Sequence, residues 1–370
     1  MIRILQVFYG MNCGGAENMI MNIYRNIDRE KVQFDFLVHT TKKCYFDDEI
    51  EKLGGRIFCI PRFNLVNVVQ YKKAIDDFFK KHKGEFSVVH GHIGSSACIY
   101  LDVAKKYNIV TISHAHNANF SMLSLKNVIY RTLNLKTRIV ADHFFACSYI
   151  AGVCRYGKKI VKQSNFKIIK NAIQLDKYTY SIEKHKKVSE EFGFNNKFVI
   201  GHIGRFDKNK NQTFVVKIFS EILKTKPNSV LMLVGDGKMR SKVEKLVDKL
   251  DIASNVIMTG VRSDVNELLQ GMDCFVFPSI SEGLGIVAIE AECFGIPCFI
   301  NESLPQELYI NDNVYGISLK RSPKEWAEII LENSNTKIPE AIAKENVKNA
   351  GYDISVTAKM LEDFYIAHSK

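Results

Sequence analysis

The 370 residues include only 7 prolines and one tryptophan, and no apolar run approaches the roughly 18 residues that would span a bilayer. An apolar fraction of 46% with so little proline argues against long disordered tracts and for a compact globular protein. The nine cysteines, at positions 13, 44, 59, 98, 147, 154, 274, 293 and 298, include no Cys-x-x-Cys pair. An odd, scattered set excludes a disulfide framework or zinc ribbon and favours free thiols in a reducing compartment. The opening Ile2-Arg-Ile-Leu-Gln-Val-Phe8 lacks the charged leader and cleavage pattern of a secretory signal. Cytoplasmic residence is therefore expected, at the inner face of the plasma membrane if the chain docks on lipid.

Three phosphate-handling patterns are also missing. The early glycines read Gly10-Met-Asn-Cys-Gly-Gly15, which fails the G-x-G-x-x-G needed for a nicotinamide site. There is no Gly-Lys-Ser/Thr loop, and no Asp-x-Asp pair to hold a divalent metal against a diphosphate. Charge stabilisation must then come from protein groups, and neither cofactor nor metal is expected.

Acidic residues are scarce in one half only. Residues 1–175 carry 26 Lys+Arg against 13 Asp+Glu, a net +13, whereas residues 176–370 carry 25 against 27, a net −2, so the basic balance belongs to the first half alone. Nucleic acid and an anionic membrane surface both suit such a half, and the membrane is the partner expected here. The segment Leu123–Arg138 mixes apolar positions with Lys126, Arg131, Lys136 and Arg138, and Arg155, Lys158, Lys159 and Lys162 follow.

Short apolar runs alternate with helical patterns. Strands are expected at Arg3–Phe8, Phe34–His39, Arg56–Ile60, Ser87–His90, Val110–Ser113, His143–Cys147 and Lys167–Ile169. After the polar stretch Asp176–Lys197, the same rhythm resumes with Phe198–Ile203, Val230–Val234, Val256–Thr259, Cys274–Pro278 and Cys298–Ile300. Continuous hydrophobic strands separated by helices imply parallel sheets covered on both faces. The expected fold is α/β, two doubly wound Rossmann-like domains, 1–175 and 176–350, with a last helix near Ile354–Ala367. Ligands of such sheets bind beyond the carboxyl ends of the strands.

Most informative is Glu282-Gly-Leu-Gly-Ile-Val-Ala-Ile-Glu290, preceded by the apolar Cys274-Phe-Val-Phe-Pro278. It reads as strand, loop and then a helix opening near Gly285, whose first amides can seat an anion. Carboxylates beside a phosphate seat make sense if they accept hydrogen bonds from sugar hydroxyls. The segment resembles the E-x7-E signature of family 4 retaining, nucleotide-sugar-dependent glycosyltransferases, whose fold is the two-domain GT-B arrangement with domains facing across a cleft. Other matches follow in order: Gly14-Gly15-Ala16-Glu17, Ile169-Lys-Asn171, Gly201-His-Ile-Gly-Arg205-Phe-Asp-Lys-Asn-Lys210, Leu233-Val-Gly-Asp-Gly237 and Val261-Arg-Ser-Asp264-Val. Met19-Ile-Met-Asn and Ser113-His-Ala-His116-Asn are most similar to bacterial enzymes that build capsule or exopolysaccharide repeat units. The resemblance covers essentially the whole chain and implies that residues 351–370 pack back on the first domain.

Loss of a nucleotide diphosphate from a sugar puts negative charge on the departing phosphate, so fixed positive charge is the main catalytic need. The resemblance assigns that task to Arg205 and Lys210, with the amides of Gly285, Ile286 and Val287. It places Glu290 at the ribose hydroxyls, Glu282 at the transferred sugar, Arg262 and Val265 at the base, and Gly14 and Gly15 near the donor phosphate or the acceptor. One of His114 and His116 belongs near the sugar or acceptor, and the sequence does not say which. As a metal pair they lack a third ligand in sequence, and His90 and His92 read as a cleft-edge pair or satisfied loop histidines. The implied activity is transfer of a hexose or N-acetylhexosamine, from a UDP-sugar, to a lipid-linked saccharide. A UDP-sugar epimerase of similar fold and a non-catalytic partner subunit are the alternatives, the latter disfavoured because both glutamates, Arg205 and Lys210 are all present.

Overall fold

The structure, a computed structural model, describes residues 1–116 and 125–369, without the side chains of residues 125–131. Contacts divide it into two compact units, Met1–Ile173 with Gly351–Lys370, and Gln174–Ala350.

The first unit is built on seven parallel strands: β1 (Ile2–Phe8), β2 (Val32–Val38), β3 (Ile57–Cys59), β4 (Val88–Gly91), β5 (Val110–Ala115), β6 (His143–Ala146) and β7 (Phe166–Ile168), in the order β3-β2-β1-β4-β5-β6-β7. Its strands are covered on both faces; all seven residues of β2 are buried, including the alternating Gln33 and Asp35. The order reverses between β1 and β4, which makes the gap beyond their carboxyl ends the topological switch point. The helix Ile354–His368 belongs to this unit, capped by Asp353, and buries Leu361, Phe364 and Tyr365 among Ile20, Phe34 and Phe145. Each such side chain contributes about 1.5–3 kcal/mol.

The second unit has six parallel strands: β8 (Phe198–Ile203), β9 (Ser229–Val234), β10 (Val256–Gly260), β11 (Cys274–Phe277), β12 (Cys298–Asn301) and β13 (Val314–Ile317), ordered β10-β9-β8-β11-β12-β13. Its switch point lies between β8 and β11.

Three features go beyond what the sequence pattern gives. The stretch Asp176–Lys197 is not merely a polar connection: Ile182–Phe192 is a helix, capped by Ser181 and closed by Gly193 at φ 65°. Lys and Glu are good helix formers, and the buried Val188 anchors it. Strand β13, which pairs with β12, is unforeseen because its four residues include a glycine and follow Asn-Asp-Asn. The basic helix runs Leu125–Val140; Leu123, Asn117 and the side chains of Lys126 and Arg131 lie outside the described residues. Its later part leaves Leu135 and Ile139 51% and 84% exposed beside exposed Lys136, so this apolar edge is not wholly spent on the sheet.

Candidate functional site

In the second unit, four loops at the carboxyl ends of adjoining strands carry the expected residues. Beyond β8, Gly204 bonds back to Val234 and Arg205 follows, its side chain 79% exposed and tied only locally to Asp207 at 2.9 Å. Asp207 also accepts from the backbone amides of Asn209 and Lys210 at 3.0 Å, which fixes this loop. Those hydrogen bonds and Arg205 hold its carboxyl below the usual range despite partial burial. Gly235 has φ +128°, and a side chain there would strike the carbonyl oxygen of Gly204. Only glycine lets the β9 loop lie against the β8 loop.

Beyond β11, Lys210 Nζ meets Glu282 Oε1 at 2.7 Å and rests over the Phe277 ring at 4.6 Å. Both charged side chains are largely covered. Asn209 adds a contact to the same carboxylate at 3.5 Å and bonds the Ser281 carbonyl. Gly285 takes φ +84° and opens the helix Ile286–Glu292. The first amide to close on it is that of Ala288, 2.9 Å from the Gly285 carbonyl, so the amides of Gly285, Ile286 and Val287 precede the helical ladder. Arg205, Lys210, Glu282 and Gly285 thus sit at one switch point.

Glu290 is placed differently. Tyr178 donates to Glu290 Oε1 at 2.7 Å, and burial pushes the carboxyl up to about 7, against the opposing effect of that hydrogen bond. Its neighbour Glu292 is fully buried and pushed up to about 8, with Asn311 as its partner. Tyr178 was not foreseen; it lies 112 residues away in a segment with no motif. Arg262, beyond β10, is held by Asp264 at 2.6 Å and Glu191 at 2.8 Å, which raise its pKa further. Val265 begins the short helix Val265–Leu268 after it.

In the first unit, Gly14 precedes the helix Gly15–Asn26. A side chain at Gly14 would meet the Glu17 carboxylate, whereas Gly15 borders open space. The larger finding is at the ends of β4 and β5. His90 and His114 lie within strands on the face shared with Gln6, and His92 and His116 follow just beyond. His90 is therefore a buried strand residue rather than a loop histidine. The rings stack in succession, with centroids 4.4 Å apart for His90 and His92 and 4.2 Å for His114 and His116. Nitrogens of His90, His92 and His114 lie within 4.8 Å of one another. The cluster thus joins His114 of β5 to two histidines at the end of β4, and His116 is not among its three. Burial and the neighbouring imidazoles hold these three well below the ordinary histidine range, and His116 is lowered to about 3 by burial and by Arg155. All four are neutral at pH 7.

Comparison with known proteins places this arrangement. Residues 183–350 match the family model described as glycosyl transferases group 1. EpsF of Bacillus subtilis, named as a glycosyltransferase, is 30% identical over 98% of this chain and 96% of its own. The capsular polysaccharide biosynthesis glycosyltransferase CapH of Staphylococcus aureus is 26% identical over 99% of each chain. The Escherichia coli UDP-Gal:alpha-D-GlcNAc-diphosphoundecaprenol alpha-1,3-galactosyltransferase is 22% identical over 87% of this chain and 85% of its own. Among solved structures, Anabaena Alr3699/HepE in complex with UDP and glucose superposes with a TM-score of 0.80 over 99% of this chain and 100% of that one, at 17% identity, and so shares the fold, two Rossmann-like domains of the GT-B type. The chain belongs to the group 1 glycosyltransferases, and its relatives include proteins named for bacterial capsule synthesis.

Proposed function

We propose that this glycosyltransferase is a retaining enzyme that moves a hexose or N-acetylhexosamine from a UDP-sugar to a lipid-linked saccharide during capsule or exopolysaccharide assembly. The carrying observation is the cluster at the second switch point. Exposed Arg205, largely covered Lys210 and the amides before the helix Ile286–Glu292 gather positive charge there. A departing diphosphate needs such charge most at the transition state, when the glycosidic bond to it breaks. Among the described residues Arg205 is tied to Asp207 alone, and it can turn to an incoming phosphate. Lys210 would exchange part of its pairing with Glu282 for the diphosphate, releasing that carboxylate to accept sugar hydroxyls. Glu290 serves the ribose, and Arg262 and Val265 border the base. No metal is required on this reading. The UDP-sugar and the lipid diphosphate acceptor follow the substrates named for the Escherichia coli relative.

Work at a membrane surface completes the proposal. Among the described residues no helix is long and apolar enough to cross a membrane. Lys136, Lys158, Lys159 and Lys162 are exposed, with Leu135, Ile139, Tyr149 and Ile150 exposed near them in sequence. Each basic group near anionic lipid contributes on the order of 1 kcal/mol, so four suffice for reversible docking.

A panel of nucleotide sugars with chelator present, supplied with and without extracted lipid-linked intermediates, tests the reading by nucleotide release and by proton NMR of the product. Acceptor-dependent release with retained anomeric configuration is expected. Inversion, a strict need for magnesium or manganese, or epimerised sugar without acceptor would each refute part of it. Sedimentation with anionic vesicles at low salt, compared with neutral ones, should show binding that replacing the four lysines with alanine abolishes.

A further inference from the structure

At the first switch point the buried polar groups form two hydrogen-bonded chains that begin on the same side chain. Gln6 Oε1 accepts from His92 Nε2 at 2.9 Å, and His92 Nδ1 meets His116 Nε2 at 2.7 Å. From the other end of its amide, Gln6 Nε2 donates to the Tyr365 hydroxyl at 3.5 Å. Tyr365 meets His90 Nδ1 at 2.7 Å, and His90 Nε2 meets His114 Nδ1 at 3.1 Å. Gln6, His90 and Tyr365 are fully buried. Each chain ends on a buried ring nitrogen with no hydrogen-bond partner among the described residues, His116 Nδ1 and His114 Nε2.

A neutral imidazole has one N–H and one lone pair, and the buried Tyr365 hydroxyl has one proton that needs an acceptor, so each bond dictates the next. Because the Gln6 oxygen accepts from His92 Nε2–H, His92 Nδ1 is a lone pair, His116 must donate from Nε2, and His116 Nδ1 is left as an acceptor. Because the Gln6 amide donates to Tyr365, Tyr365 donates to His90, His90 Nε2–H donates to His114, and His114 Nε2–H is left as a donor. Turning the amide over reverses every step. In both orientations the two terminal nitrogens have opposite character.

We propose that Gln6 and Tyr365 are positioning residues that set four histidine tautomers together, so that His114 and His116 present one donor and one acceptor to a hydroxyl of the ligand, a saccharide if the transferase reading above holds. An anion would want two donors and a metal two lone pairs. A hydroxyl accepts from one nitrogen and donates to the other. The stacked His114 and His116 rings make this one patch. A metal on His90, His92 and His114 would instead need lone pairs on His90 and His92, whose ring nitrogens the chains already commit to these bonds.

The test uses the whole protein with 15N-labelled histidine rings and long-range proton–nitrogen spectra near pH 7.5, where no substrate is needed. All four rings should show one and the same tautomer, Nε2–H with the Gln6 amide in its present orientation and Nδ1–H with it turned over. Gln6→Leu should leave mixtures in all four, and Tyr365→Phe should leave mixtures in His90 and His114. Mixed tautomers in the unaltered protein, or His114 unmoved by both substitutions, would overturn the coupling whether or not the protein transfers sugar. For the ligand, UDP-glucose or UDP-N-acetylglucosamine should shift the His114 and His116 signals, and inorganic phosphate should not. Shifts with phosphate alone, or loss of the ring N–H signals of His90, His92 and His114 at one equivalent of zinc, would replace the hydroxyl site with an anion or metal site. With an active donor and acceptor pair, Gln6→Leu should lower kcat/KM about tenfold, as leaving a buried polar group wrongly paired commonly does.

Discussion

The two units place opposite chemistry at equivalent points of similar sheets. At the ends of β4 and β5 the first unit gathers neutral imidazoles, with His90 and His114 buried; beyond β8 and β11 the second gathers an arginine, a lysine and a carboxylate and leaves the arginine in water. The formal charges run the other way, since the strongly basic half is the one with the uncharged centre. Its lysines are a surface property, whereas a site's chemistry is set by what is buried around it. A neutral pair can sort hydroxyls; a charged cluster can follow the charge of a leaving group.

The sharpest way to break that contrast is to remove the charge. Arg205→Ala or Lys210→Ala should lower turnover by about a hundredfold or more, the usual effect of deleting a positioned stabilising group. Near-normal turnover in a folded Arg205→Ala protein would remove Arg205 from the site.

The second test sharpens the contrast by pH. The four histidines have folded-state values below the ordinary 6.5, so the unfolded chain takes up protons first as the pH falls. Their contribution is complete above about pH 6.5 and drains away as the pH falls below that, for His116 down to about pH 3. Glu290 and Glu292 are raised from 4.5 to about 7 and 8, so the unfolded chain loses their protons first as the pH rises. Their contribution is complete below about pH 4.5 and is lost toward pH 7–8. Hydrogen exchange corrected for intrinsic rates should therefore show acid loosening β4 and β5, and mild alkali loosening Ile286–Glu292. Parallel behaviour of both regions would refute the assignment.

A smaller effect is expected at Tyr178. Its hydroxyl favours the ionised form of Glu290, so Tyr178→Phe should move the Glu290 titration upward and cost about 1 kcal/mol of stability. Carbon NMR of labelled glutamate reads the first and denaturant unfolding the second. A downward movement would contradict the bond.

Much of this was legible in the sequence because parallel sheets advertise themselves. Phe198–Ile203 is apolar and lies between polar segments, and the strand forms there to the residue. The loop motifs were legible too, since Gly204-Arg205 and Glu282-Gly-Leu-Gly285 must follow their strands. Partnerships across the chain were not. Gln6 and Tyr365 are 359 positions apart and neither carries a motif; a buried glutamine in a strand looks like a register error until its neighbours are known. Nor could spacing show that Lys210 turns to Glu282, or that Tyr178 covers Glu290, because helix and strand periods say which face a residue occupies and nothing about what lies opposite.

The helix Ile354–His368 also sets a timetable for biosynthesis. It packs on residues of the first unit, yet the ribosome must make the whole of Gln174–Ala350 before reaching it. At roughly 5–20 residues per second, that delay is on the order of ten to forty seconds. Throughout it, Ile20, Phe34 and the polar chain from Gln6 lack Leu361, Phe364 and Tyr365, so the nascent first sheet waits with an open apolar seam while the second unit can already close. Chaperone demand during synthesis should fall on the half that emerges first.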